Sequence, residues 1–114
     1  MLCIVIYQRR QEMKKSDVIF RTYVFLHENG LVSSESEFSQ DWLGKGECYM
    51  RTLRFKNAEP SLGSVAICAS RLNRAGHEMI RMPRLRRTGI EMVKLGDALH
   101  DQVNEQAVQF EIAS

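Results

Sequence analysis

WLGKGECYMRTLRFKNAEPSLGSVA, residues 42–66, holds a glycine corner, a short basic segment, a break and a fresh helical start. Just before the corner, Phe38, Trp42 and Leu43 recur at helical spacing and stop at Gly44. After it, Tyr49, Met50 and Leu53 put one apolar face on a helix expected from about residue 47 to residue 56. Asn57-Ala58-Glu59-Pro60 ends that helix, because proline disfavours helical backbone in the residue before it. Ser61 then caps a further helix with Leu62, Val65, Ala66, Ala69 and Leu72 on its inner face. Gly76 marks its expected end.

Reading outward, Ser34-Glu35-Ser36-Glu37 is a capping box, serine at the cap and glutamate three later. Upstream, Ser16 reads as the N-cap of a helix over residues 17–29, with Asp17 where the helix dipole favours an anion. Val18, Ile19, Tyr23, Val24 and Leu26 carry its periodicity, and Asn29-Gly30 is its stop. Beyond Pro83 a longer pattern covers residues 84–110, with Met92, Leu95, Leu99, Val103, Gln106 or Ala107, and Phe110 three or four apart. Gly89 and Gly96 weaken that helix locally. At the other end, Ile4, Val5, Ile6 and Tyr7 favour a short extended segment. The fold class is thus mainly α, with a short N-terminal strand as the only β candidate.

At 114 residues the chain is of single-domain length, and its 44% hydrophobic content supports one modest core. Charged residues make up 26% with nearly balanced signs, net +2, which excludes a disordered acidic or basic tail protein. Cys3, Cys48 and Cys68 are too few and too scattered for a disulfide framework or a zinc site. The opening MLCIVIY is too short to cross a membrane and lacks the flanks of a secretory signal. The expectation is a soluble, cytoplasmic protein. Met13, followed by two lysines, also reads as a start, which would make residues 1–12 an addition.

Two short helices around a glycine turn follow the helix-turn-helix plan, whose second helix enters the major groove of DNA. The charges are arranged accordingly. Lys45, Arg51, Arg54 and Lys56 against Glu47 leave residues 45–56 at net +3, whereas Glu28, Glu35, Glu37 and Asp41 make residues 28–41 net −4. Residues 71–87, RLNRAGHEMIRMPRLRR, carry Arg71, Arg74, Arg81, Arg84, Arg86 and Arg87 against Glu78, net +5.

With these residues in place, the stretch resembles the lambda-repressor-like (Cro/repressor, XRE-type) helix-turn-helix domain. Gly30-Leu31, Leu43-Gly44, Tyr49-Met50, Pro60-Ser61-Leu62, and Ala69 with Leu72 carry the resemblance, over roughly residues 17–75. FSQDWLG, residues 38–44, is also similar to a signature of small bacterial proteins. The resemblance implies a helix-turn-helix bundle of four to five helices, and says nothing of the two ends. The residue pattern adds a C-terminal helix and divides the chain into an appendage at 1–15, the helix-turn-helix domain at 16–76, and a basic linker with the last helix at 77–114. The departures are local. The helix and loop before Gly44 are longer than in the family, and Ser34-Glu35 stands where a glutamine is usual. Gly46 and Glu47 replace small hydroxyl or basic residues, Arg54 an acidic one and Lys56 a glycine.

The resemblance implies that Glu47, Cys48 and Arg51 reach base edges, with Thr52 on the same outward side. Arg51 can give a guanine two parallel donors, and Glu47 can accept from a cytosine amine. A first-turn anion on a helix is an equally ordinary use of Glu47. Lys45, Arg54, Lys56 and Asn57 are candidates for phosphate, which positions without specifying; an ordinary solvated face weighs equally for them. Tyr49 reads better as a packing residue, and Phe38, Trp42 and Leu53 as core. The six arginines of residues 71–87 suit a linker tracking the DNA backbone, with a solvated connector as the plainer reading.

The stripe of the last helix can pair with its mate in a homodimer or fold back on its own domain. His27, His77 and His100 stand apart, and no phosphate loop, catalytic triad order or HExxH helix occurs. No enzyme activity, cofactor, metal, membrane span or small-molecule site is therefore expected. Cys48, near a helix start and Lys45, also allows a reactive thiol, with packing as the ordinary outcome. Sequence-specific binding of double-stranded DNA by a transcriptional regulator is the first expectation. A protein-interaction module on the same fold, antitoxin-like or adaptor, is the second.

Overall fold

A computed structural model of the chain describes residues 15–113, which form five helices and no strand. They are α1 (Lys15–Glu28), α2 (Glu35–Asp41), α3 (Tyr49–Lys56), α4 (Leu62–Ile80) and α5 (Arg86–Ala113). The mainly α class is the observed one. The extended reading of residues 4–7 and the appendage lie outside the described residues.

Helix α1 is already running at Lys15, so Ser16 sits in its first turn and does not cap it. It buries Val18, Ile19, Thr22 and Leu26. The Thr22 hydroxyl donates to the Val18 carbonyl at 2.8 Å, so its burial leaves no unmet donor. At the far end Gly30 adopts φ 72°, and the Leu31 N–H returns to the Leu26 carbonyl at 2.9 Å. That is a Schellman stop, and it needs the left-handed conformation glycine adopts freely.

The capping box before α2 forms with a shift. Ser34 Oγ accepts the Glu37 N–H at 3.1 Å, but the Glu37 carboxylate reaches the Ser33 N–H (3.2 Å) and the Ser33 hydroxyl. Phe38 and Leu43 are fully buried, and Tyr23 of α1 meets the Phe38 ring edge-on at 5.5 Å. Trp42 and Leu53, expected as core, are only half-buried at its margin. Helix α3 begins at Tyr49, two residues later than the spacing suggested. It stops at Asn57, whose φ of 50° lets the Ala58 N–H reach the Leu53 carbonyl at 2.9 Å. The stop therefore precedes Pro60.

The larger correction concerns Gly76. Helix α4 does not end there but runs to Ile80, leaving residues 81–85 as the whole connection to α5. These two helices form a long antiparallel hairpin. Its register is set where a Cβ on Gly76 would lie 2.8 Å from the Gly89 carbonyl, and one on Gly89 2.7 Å from the Gly76 carbonyl. Seven residues along, Gly96 lies against the Ala69 carbonyl and the Asn73 carboxamide. Repetition every seven residues keeps the small positions on one face, so the two backbones approach closely over two helical turns. Val65, Cys68, Ala69 and Leu72 of α4 and Met92 and Leu99 of α5 are buried in the common core.

Helix α1 packs on α5, and Lys15 Nζ meets Gln106 Oε1 at 3.1 Å. The Met92–Leu99 stripe is thus covered within the chain, which is the folded-back alternative for the last helix. Residues 16–76 and 77–108 share one core, so the boundary expected at Gly76 falls inside a helix.

Candidate nucleic-acid interface

Helices α2 and α3 are held as a corner by groups from both sides of the turn. The buried Ser39 hydroxyl donates to the Glu35 carbonyl at 2.8 Å and accepts the Met50 N–H at 3.2 Å. It thus secures an orphan donor in the first turn of α3. Gly44 adopts φ 66°, and a Cβ there would sit 3.2 Å from Ile67 Cδ1 of α4. The turn therefore lies directly on that helix. The helices are separated by residues 42–48, longer than a tight helix-turn-helix turn of roughly three to four residues.

Tyr49 joins the starts of α3 and α4. Its hydroxyl accepts the Ser61 N–H at 2.9 Å and lies 3.4 Å from Ser64 Oγ. Burial pushes this phenol up, but the hydrogen bonds from Ser64 and Ser61, with Lys45 nearby, carry it below its ordinary value of 10.0. Tyr49 is thus a structural residue with an occupied hydroxyl. Lys45 Nζ stands 5.7 Å from the centre of its ring.

Two arginines expected on phosphate have partners within the fold. Arg54 pairs with Glu35 at 2.8 Å, tying the last turn of α3 to the first turn of α2. Arg71 belongs to α4 and donates from Nη1 to the Gln40 carbonyl at 3.3 Å and to the Asp41 carbonyl. It satisfies orphan carbonyls at the end of α2, as cations at helix C-termini do. Asn57 is the left-handed C-cap of α3, so its conformation has a structural reason of its own.

What remains outward on α3 is compact. Met50 and Leu53 turn to the core, and Arg51, Thr52 and Lys56 are exposed. Arg51 and Lys56 have no ion-pair partner among the described residues. Glu47 and Cys48 are exposed in the turn leading into α3, not within it, with Cys48 as a cap that makes no side-chain bond. One residue on this face was not expected. Phe55 is 91% exposed, four residues from Arg51 and hence on the same stripe. An apolar residue in a short helix reads as inward; its departure from the 50/53 spacing was the available signal.

The other arginines divide: Arg74 lines a shallow groove with Arg71, Asp41 and Trp42 beside the end of α2, and the rest form a separate patch. Arg74 is exposed on α4, and Arg81, Arg84, Arg86 and Arg87 crowd the hairpin tip. Arg86 Nε donates to the Ile80 carbonyl at 3.2 Å, closing the end of α4. Tyr49 meets α4 at Ser61, so the tip lies the length of that helix away, about 28 Å at 1.5 Å per residue. The basic residues are therefore not a linker beside α3.

Between the start of α1 and the end of α3 lies an open cleft of about 350 Å³, lined by Ser16, Phe20, Met50, Leu53, Arg54 and Glu59 among others. Its walls come from segments far apart in the chain. Among the described residues no helix is long and apolar enough to cross a membrane.

The described residues thus form a small all-helical body with a corner, α2–α3, seated on a glycine-seamed hairpin. The chain belongs to a family described as a family of unknown function (DUF6626), whose model matches residues 19–111. That span takes in the corner and nearly all of the hairpin. No curated protein and no solved structure matches the chain.

Proposed function

We propose that the α2–α3 corner binds double-stranded DNA in a sequence-dependent way, as a helix-turn-helix, and that the protein acts as a transcriptional regulator. The observation carrying this reading is the outward face of α3. Arg51, Thr52 and Lys56 stand exposed on a helix whose two ends are pinned by Ser39, Tyr49 and Arg54. A rigid helix with unpaired cations suits a groove lined by phosphates. Arg51 is the base-contacting residue, with Thr52, Cys48 and Glu47 beside it. Lys45 and Lys56 take phosphates, and Arg54 contributes less because Glu35 already holds it.

A salt titration of binding to random duplex DNA tests this. Affinity falls steeply with salt, and Lys56→Ala lowers the log–log slope by about 0.9, the value for one phosphate contact. Arg51→Ala flattens the preference among sequences. Absence of duplex binding at low salt refutes the reading. The second reading, a protein-docking face on the same corner, is favoured by the exposed Phe55. It predicts that no duplex DNA binds even at low salt.

The homodimer belongs to the proposal in altered form. The Met92–Leu99 stripe is occupied within the chain, so a two-fold contact must use another surface of the hairpin.

A further inference from the structure

We infer that Phe55 is a specificity determinant that reads the 5-methyl group of thymine in the major groove, an inference resting on the DNA-binding reading of α3. Phe55 is 91% exposed, the most open of the large apolar side chains among the described residues. Such a ring on a surface helix gains nothing from the fold, since it touches little of it. Its place is more informative than its exposure. It lies on the stripe of Arg51, opposite Met50 and Leu53, and next to Lys56. The surrounding cations match phosphate, and within a groove the apolar feature that major-groove edges present is the thymine methyl. A phenyl ring cannot hydrogen-bond a base edge, so it ignores cytosine and guanine and discriminates by contact alone. Arg51 and Phe55 then divide the work along one face, the guanidinium reading a donor–acceptor pattern and the ring a methyl.

The contact is confined to the major groove, because the methyl is absent from the minor-groove edge. A randomised duplex pool prepared with thymidine, and the same pool prepared with deoxyuridine, isolate that single group. One round of binding and sequencing is run on each pool with the wild-type chain and with Phe55→Ala. The wild type prefers thymine at one position by about fourfold, the factor that burying one methyl group supplies. That preference vanishes in the deoxyuridine pool, and Phe55→Ala lacks it in both. Because Phe55 is exposed, the variant keeps the wild-type melting temperature, which excludes unfolding as the cause.

A wild-type preference that persists with deoxyuridine overturns the inference and leaves the DNA reading standing. So does a thymine preference retained by Phe55→Ala. If neither pool yields any bound duplex, the DNA reading falls and this inference with it. Unchanged duplex binding by Phe55→Ala with equal base preferences points instead to a protein partner on this face.

Discussion

Gly76→Ala tests the hairpin directly. A methyl at that position would lie 2.8 Å from the Gly89 carbonyl oxygen, 2.8 Å from Val93 Cγ2 and 3.1 Å from the Val93 nitrogen. Carbon and oxygen in weak contact stand at roughly 3.3 Å or more, so the intrusion is about 0.5 Å against backbone that cannot rotate away. Alanine raises helix propensity by about 1 kcal/mol over glycine. Overpacking a close contact costs about 1–3 kcal/mol, and backbone partners place this case toward the upper end. The expected balance is a loss of about 1–2 kcal/mol. At roughly 4 °C per kcal/mol for a chain of this size, Tm falls by about 4–8 °C.

Gly89→Ala should match it, since its Cβ would meet the Gly76 carbonyl at 2.7 Å and the Ile80 nitrogen at 2.9 Å. Gly96→Ala should cost less, because much of its contact is the Asn73 carboxamide, a side chain that can move. Gly63→Ala, with nothing within 4 Å, should be neutral or stabilising. Thermal melts of the four variants give the order. Gly76→Ala melting at or above the wild type, with Gly63→Ala behaving as expected, would refute the close-approach account.

Arg71→Ala removes the donor to the Gln40 and Asp41 carbonyls and should cost about 1 kcal/mol, read from urea unfolding, with faster amide exchange at the end of α2. Arg54→Ala breaks a surface pair with Glu35 and should cost less than about 1 kcal/mol; a larger loss would mean that α3 depends on it for its position. Burial holds the Cys68 thiol up, from 9.0 to about 12, with Arg71 pulling weakly the other way. The folded chain therefore keeps a proton that the unfolded chain releases. This contribution is whole below pH 9 and is lost between pH 9 and about 12, with a slope of up to about 1.4 kcal/mol per pH unit. Cys68→Ala should flatten the alkaline fall in Tm, and identical slopes would contradict the burial. In native chain near neutral pH, alkylation should label exposed Cys48 and spare Cys68, as peptide mapping would show.

Local chemistry made much of the fold legible. The Ser34 and Ser61 caps, the Gly30 and Gly44 turns and the spacing of Phe38, Leu43, Met50, Val65 and Leu72 all act within a few residues. Each is therefore written where it operates. The errors fall where two distant segments meet. Gly76 has the same local meaning at a helix end as in a helix seam, and only the approach of Gly89 decides between them. Arg54 and Arg71 read as surface cations until Glu35 and the end of α2 are brought beside them.

By itself, then, the sequence determined the helices, their caps and most of the side each turns inward, because propensity and periodicity are properties of neighbouring residues. Tertiary structure alone decided which cations stay free, where the hairpin brings its glycines together, and that Phe55 faces outward among Arg51 and Lys56. Those depend on which surfaces meet, and a surface is covered or left open only when the whole chain has closed around its core.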